Sequence, residues 1–221
     1  GNSWTHGGLR VYGQPLMDIR YCDFKYGDDG LLAVLSTYGN PLDLAYCTFT
    51  DCGNGLKSQG KRVNIRHSTF DNNTKGWLAL DVDGTCETFK NDFQYNSTGI
   101  DFLGQQGSGL KLSHSTFYSN SNEGVNLQGT SAWSFCCNYA SNGTGMAIDE
   151  SEVWMNNHSQ NTFDNAQDVY LQSADGLNIN YGYNTFEGTF YIEGEFSSNA
   201  ASSLYYDAQN DKYYLEVKNN L

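Results

Sequence analysis

Three charged residues of this sequence, Lys57, Asp101 and Asp149, are the candidates for catalysis. A lysine can act as the base that removes a proton from an acidic sugar, and two carboxyl groups can act as the acid and base of a glycosidase. An inverting glycosidase holds its carboxyls about 6.5 to 9.5 Å apart. The sequence places Asp101 and Asp149 two repeats apart, or about 10 Å, which is at the edge of that range.

Four further residues are candidates for ligand binding: Asn126, Tyr170, Tyr191 and Glu193. Tyrosine rings stack on the apolar faces of sugars, and amide or carboxylate groups form hydrogen bonds with sugar hydroxyls. This combination favours contact with a neutral glycan.

The sequence predicts no metal site and no cofactor. Cys47 and Cys52 lack the second pair of ligands that a zinc site needs, and the four histidines are dispersed. Residues 28–30 and 81–84 resemble pieces of calcium loops, but neither continues into a full loop, and Asp-Gly pairs usually form turns. Calcium is the one ion that the sequence leaves open.

The overall charge excludes two classes of partner. Asp and Glu number 25 against 12 Lys and Arg, which gives a net charge of −13. Such a surface repels phosphates and anionic lipids, and no apolar run is long enough to cross a membrane. We therefore expect neither nucleic-acid binding nor membrane insertion. The six cysteines can pair in many ways, and the sequence does not choose among them.

A tripeptide of a small or amide residue, a polar residue and an aromatic residue recurs along most of the chain. From Phe24 to Phe186 there are 162 positions in seven steps, a period of about 23 residues. The aromatic members are Phe24, Phe49, Phe70, Phe93, Phe117, Tyr139, Phe163 and Phe186.

Two more features recur in the same register. A glycine stands six or seven residues after the aromatic in six copies, and a short alternating apolar run follows it, which predicts a β-strand. We expect these glycines to adopt turns with a positive φ. In four copies an asparagine stands three residues after the aromatic, where stacked amides would hydrogen-bond from coil to coil. The glycines are Gly30, Gly55, Gly76, Gly99, Gly124 and Gly145, and the asparagines are Asn73, Asn96, Asn120 and Asn142.

This pattern predicts an all-β parallel β-helix of about eight coils. A coil of about 23 residues cannot bury an apolar face alone, but coils stacked at about 4.8 Å build a continuous core around the aromatic column. Residues 1–196 form the solenoid in this interpretation, and residues 197–221 form a capping hairpin or a linker. A leucine-rich repeat is excluded because no coil has its leucine spacing and no segment has helical periodicity.

Residues 16–195 resemble the right-handed parallel β-helix proteins of the pectin-lyase-like superfamily, whose repeat is similar to NTF-x-N-x-x-x-G-I-x-L. The copies that begin at Ser68, Ser115 and Asn161 match it well. The resemblance implies right-handed coils, with enzyme sites on the outward face of the strand after each glycine. All seven candidate residues fall on that face, because alternation points the second and fourth residues of the strand outward. The Asn-Thr-Asp, Gly-His-Gly and Arg-Ile-Lys motifs of polygalacturonases are absent, so the resemblance to those hydrolases stops at the fold.

The segment that ends in residues 181–186 also resembles parts of large secreted or surface proteins of bacteria. We therefore expect a secreted or cell-surface location. The leading interpretation is a non-enzymatic β-helix segment of a larger surface or filament protein, with a structural, adhesive or glycan-contacting role. Its expected partners are a polysaccharide or further copies of the chain that associate through coil edges. The alternative is a polysaccharide lyase or glycoside hydrolase that acts on the outer face.

Overall fold

In the computed structural model the described residues form 27 strands and no helix. The structure describes residues 8–13, 18–36, 41–105, 107–155, 159–172, 176–178, 183–193, 200–207 and 212–219. The strands form three sheets, and each sheet takes one strand from each successive coil. This confirms the predicted all-β parallel solenoid.

The first sheet has nine strands, all parallel. They are β1 (Leu9–Gly13), β4 (Asp29–Leu35), β7 (Asn54–Lys61), β10 (Lys75–Asp83), β13 (Thr98–Gly104), β16 (Glu123–Gln128), β19 (Thr144–Asp149), β22 (Gln167–Gln172) and β25 (Thr189–Glu193).

The second sheet has eight parallel strands and ends in the predicted hairpin, whose strand β27 pairs antiparallel with β23 and β26. The strands are β2 (Asp18–Arg20), β5 (Leu42–Ala45), β8 (Val63–Arg66), β11 (Thr85–Phe89), β14 (Gly109–Ser113), β17 (Ser131–Phe135), β20 (Glu152–Trp154), β23 (Gly176–Asn178), β26 (Ala200–Asp207) and β27 (Lys212–Asn219).

The third sheet consists of the short strands that carry the aromatic tripeptide. They are β3 (Asp23–Lys25), β6 (Thr48–Thr50), β9 (Thr69–Asp71), β12 (Asp92–Gln94), β15 (Thr116–Tyr118), β18 (Asn138–Ala140), β21 (Thr162–Asp164) and β24 (Thr185–Phe186). Each coil therefore passes through the second, the third and then the first sheet.

The aromatic column lies in the core, as predicted. Successive ring centroids from Phe24 to Phe186 lie 4.3 to 5.1 Å apart, with nearly parallel planes. The six rings between these ends are fully buried. Tyr139, the one tyrosine of the column, keeps its hydroxyl paired with Ser134 Oγ at 2.8 Å. Stacking of one ring per coil thus fixes the register of neighbouring coils.

The predicted asparagine ladder is confirmed and is longer than the sequence indicated. Asn96 shows the pattern: its Oδ1 accepts the backbone N–H of Asn73 at 2.9 Å, and its Nδ2 donates to the carbonyl of Phe70 at 3.0 Å. Asn165 continues the ladder, and Asp168 Oδ1 ends it by accepting the Asn165 N–H. Buried corner amides are satisfied in this way from coil to coil.

A second ladder, which the sequence analysis missed, occupies the first position of the tripeptide. Asn91 Oδ1 accepts the backbone N–H of Ser68, and Asn161 Oδ1 accepts that of Cys137, both at 2.9 Å. The small and amide residues of this position are therefore rungs of a ladder at the other end of the third sheet.

The predicted positive φ of the recurring glycines is wrong. At Gly55 an added Cβ would lie 2.7 Å from the carbonyl oxygen of Gly76 and 3.0 Å from the Phe49 side chain. Glycine is required there because the next coil approaches too closely for any side chain. The left-handed corners instead carry residues with side chains, such as Tyr46 (φ 57°) and Asp51 (φ 55°) on either side of the third-sheet strand β6.

All six cysteines are free thiols. Burial raises the pKa of Cys86 to about 12 and that of Cys137 to about 11, because an apolar interior disfavours the thiolate. These two side chains are core residues, not reactive ones.

Candidate functional site

The outward face of the first sheet holds all seven candidate residues in two columns. Strand register aligns Lys57, Asp101, Asn126, Tyr170 and Tyr191 in one column. The other column, two residues further along each strand, contains Asp149 and Glu193. The inward positions between these columns are buried, so the predicted alternation holds for this sheet.

Asp101 is almost buried on this face, with only 7% of its surface exposed. Its Oδ2 forms an ion pair with Lys75 Nζ, and its Oδ1 accepts a hydrogen bond from Asn126 Nδ2 at 2.9 Å. Both oxygens are therefore bonded to side chains of the protein, which hold Asp101 in place between Lys75 and Asn126.

Lys75 was missed as a partner of Asp101 by the sequence analysis. It stands directly before Gly76 and occupies the first position of β10, where it pairs in register with Thr98 of the next coil. Strict alternation from the outward Leu78 would place Lys75, three residues earlier, on the inward face. Gly76 and Trp77 are both buried, so the strand departs from alternation at the glycine and Lys75 lies on the outward side, which the residue pattern did not predict.

Lys57 and Asp149 do not join Asp101. Lys57 is half-buried and lies two strands from Asp101, with Leu78 between them. Within the described residues its ammonium group has no side-chain partner. Asp149 accepts a hydrogen bond from Gln128 Nε2 at 3.5 Å. The offset of two coils and two residues puts the Cα atoms of Asp101 and Asp149 about 12 Å apart, so the two residues lie on different coils and in different columns.

The tyrosines of the ligand-binding set are brought together. The rings of Tyr170 and Tyr191 stack with centroids 5.5 Å apart and planes within 16°, and Tyr191 is 50% exposed. Glu193 pairs in register with Gln172, while its side chain lies outside the described part of the structure. Asn126 stands apart from the tyrosines and is bonded to Asp101.

Other polar residues of this face are also paired from coil to coil. Asn54 Nδ2 donates to Asp29 Oδ1 at 2.7 Å, and Thr98 Oγ1 donates to Glu123 Oε2 at 2.8 Å. Asp81, from one of the calcium-like segments, accepts a bond from Gln59 Nε2 at 3.2 Å. The described residues contain no group of three His, Cys, Asp or Glu side chains close enough to hold a metal ion.

The second sheet carries outward aromatic residues that the sequence analysis did not select. Trp133 and Trp154 stack at 4.8 Å with planes within 11°, and Phe89 and Phe135 lie half-buried beside them. The alternation within Ser131–Phe135, where Ala132 and Ser134 are buried, is the signal that could have found them.

The family model described as a right handed beta helix region matches residues 7–168, more than half of the chain. The chain belongs to the right-handed β-helix family. The pectin-lyase-like superfamily fits this assignment and the observed coils. No curated protein and no solved structure matches this right-handed β-helix chain. Among its described residues, no helix has the length and apolarity needed to span a membrane.

Proposed function

We propose that this right-handed β-helix chain is a non-catalytic segment of a larger secreted or cell-surface protein of bacteria, where it acts as a rigid module that contacts glycans. The observation that carries this proposal is the state of Asp101. The best-placed carboxylate on the face used by enzymes of this fold has both oxygens bonded within the protein, and the other two catalytic candidates lie coils away from it.

The construction of the coils supports a structural role. One aromatic stack and two ladders run through the core in register, and the contacts recur between successive described coils such as those of Asn73, Asn96 and Asn120. In such a solenoid each coil contacts only its neighbours, and stability is the sum of coil and interface terms. A stiff rod of this kind suits a spacer or a filament segment, and copies of the chain can associate through coil edges.

The stacked pair of Tyr170 and Tyr191 supports glycan contact on the first sheet. A half-exposed tyrosine ring offers an apolar face, and Gln172 lies within 3.4 Å of the Tyr170 hydroxyl. Rings with adjacent hydrogen-bonding groups suit a neutral sugar. The proposal includes no cofactor and no nucleic-acid partner.

The test is a glycan-array screen run beside a reducing-sugar and unsaturated-product assay on the same polysaccharides, with and without calcium. We expect binding without product, and weaker binding in Tyr191→Ala. Product release that disappears in Lys57→Ala or Asp101→Ala would overturn the proposal and establish the lyase or hydrolase alternative. If neither assay gives a signal and light scattering shows large assemblies, the glycan-contacting role would be contradicted and only the structural role would remain.

A further inference from the structure

The outward face of the second sheet carries a groove that contains none of the first-sheet candidates. Strand register stacks Arg66, Phe89, Ser113 and Phe135 in four successive coils, so this column runs about 15 Å along the axis. A hollow of about 520 Å³ opens over it. We call this feature the second-sheet groove, and its outward lining is Arg66, His67, Glu87, Phe89, Lys111, Ser113 and Phe135.

Aromatic rings form the apolar part of the second-sheet groove. Phe89 and Phe135 are half-buried on its floor, and Trp133, in register with Lys111, extends the aromatic surface towards Trp154. The solenoid core is complete without these four rings, because the inward positions of the same strands are fully buried. Phe89 is in edge contact with His67 and His114 and has Lys90 Nζ 5.2 Å from its ring. The rings offered to a ligand are therefore Phe135 and Trp133.

The Trp133 position is built into the sheet. An added Cβ at Gly109 would lie 3.0 Å from the outer ring of Trp133, which is tighter than an ordinary contact. The glycine lets the indole lie close over the neighbouring strand, since a side chain there would press on the ring. The aromatic wall is thus held by packing and not by a flexible loop.

The charge of the second-sheet groove is opposite to that of the chain. Lys111 Nζ pairs with Glu87 Oε1 at 3.3 Å, which leaves Arg66 as an exposed guanidinium without a side-chain partner among the described residues. A groove with two cations and one carboxylate lies on a protein of net charge −13. The planar fork of arginine matches the oxygens of a carboxylate or a sulfate.

We propose that the second-sheet groove binds an acidic oligosaccharide along the solenoid axis. Pyranose rings pack on Phe135 and Trp133, and Arg66 holds a sulfate or carboxylate group of the sugar. This inference rests on the glycan-contacting part of the proposed function and transfers the contact to a second face. Because sulfate and carboxylate present the same oxygen pattern to Arg66, the groove accepts either.

The test compares four polymers by isothermal calorimetry at physiological ionic strength, where long-range attraction is screened. Dextran sulfate and dextran share one backbone with and without charge, alginate supplies carboxylates on a sugar, and polyglutamate supplies carboxylates without a sugar. We expect dextran sulfate or alginate to bind, with dextran and polyglutamate much weaker. Binding of only one acidic polymer identifies the anion.

The matched variants are Arg66→Gln, at the last residue of β8, and Arg62→Gln, directly before its first residue, and each removes one positive charge. Arg66→Gln should weaken binding of the acidic polymer about tenfold, the value of one charge-assisted hydrogen bond, and Arg62→Gln should not. Phe135→Leu, checked for folding by thermal unfolding, should weaken binding of the polysaccharide as well.

Three results would overturn the inference: equal affinity for dextran and dextran sulfate, equal loss in the two arginine variants, or polyglutamate binding as tight as that of the acidic sugar. Array binding that Tyr191→Ala removes and Arg66→Gln leaves intact would overturn this inference alone. Failure of every sugar to bind would contradict the glycan part of the proposed function too.

Discussion

Replacement of Asn96 by alanine tests the asparagine ladder directly. The Asn96 side chain is almost completely buried and makes four hydrogen bonds. Its Oδ1 accepts from the backbone N–H and the Nδ2 of Asn73, and its Nδ2 donates to the Phe70 carbonyl and to Asn120 Oδ1. Alanine replaces none of these partners.

The expected cost follows from the groups left behind. Asn96→Ala leaves the N–H of Asn73 and the carbonyl of Phe70 without their amide partner in the interior, at about 1 to 3 kcal/mol each. We therefore expect the free energy of unfolding to fall by about 4 kcal/mol. The matched control is the exposed Asn122, whose side chain makes no bond to another described residue. Asn122→Ala should change the free energy of unfolding by less than about 0.5 kcal/mol.

The assay is equilibrium unfolding in guanidinium chloride, followed by circular dichroism, together with amide hydrogen exchange. Exchange at the Asn73 N–H should speed up selectively in Asn96→Ala, because this amide loses its acceptor. A loss below about 1 kcal/mol, or an equal loss in Asn122→Ala, would refute the argument that buried amide bonds hold the coils together.

Three further predictions concern the core. Gly76→Ala places a Cβ 2.5 Å from the carbonyl oxygen of Gly99 and should lower the free energy of unfolding by more than about 3 kcal/mol. The control is Gly107→Ala, which has open space around its Cβ and should lower the free energy of unfolding by about 1 to 2 kcal/mol because of its positive φ. A larger loss for Gly107→Ala than for Gly76→Ala in denaturant titration would contradict the close-approach explanation. Phe93→Ala removes a fully buried ring stacked at 4.6 Å and 5.1 Å on its two neighbours and should lower the free energy of unfolding by about 3 to 5 kcal/mol. Phe93→Leu should lose much less, because it keeps part of the buried apolar volume. Equal losses for the two variants in chemical unfolding would contradict the role given to burial at this position. Because the pKa of the Cys86 thiol is raised to about 12 from 9.0, the unfolded chain releases this proton first, so stability should fall as the pH rises from about 9 towards 12, by about 1.4 kcal/mol per pH unit for this thiol. Thermal unfolding between pH 8 and 11 should show a smaller decline in Cys86→Val, and an unchanged decline would contradict the assignment.

The sequence alone predicted the solenoid, because the residues that determine it lie within one coil and recur in the next. The spacing of Phe24, Phe49 and Phe70 by one coil length fixes both the period and the inward position, and the residue three places after the aromatic fixes the ladder. Alternation along each strand then identified the outward face that holds Lys57 and Asp101. These features need no knowledge of which distant residues meet, because each coil meets the next copy of itself.

Contacts between unlike positions were decided only by the tertiary structure. The ion pair of Lys75 with Asp101 joins two columns, and the second-sheet groove joins residues of four coils. The reason for glycine at Gly55 is the carbonyl oxygen of the next coil at 2.7 Å, which a single coil of sequence does not contain. The period and the core therefore follow from the residue pattern. The partners of charged groups depend instead on how the coils pack, because a side chain can reach neighbours in adjacent columns that the repeat does not specify.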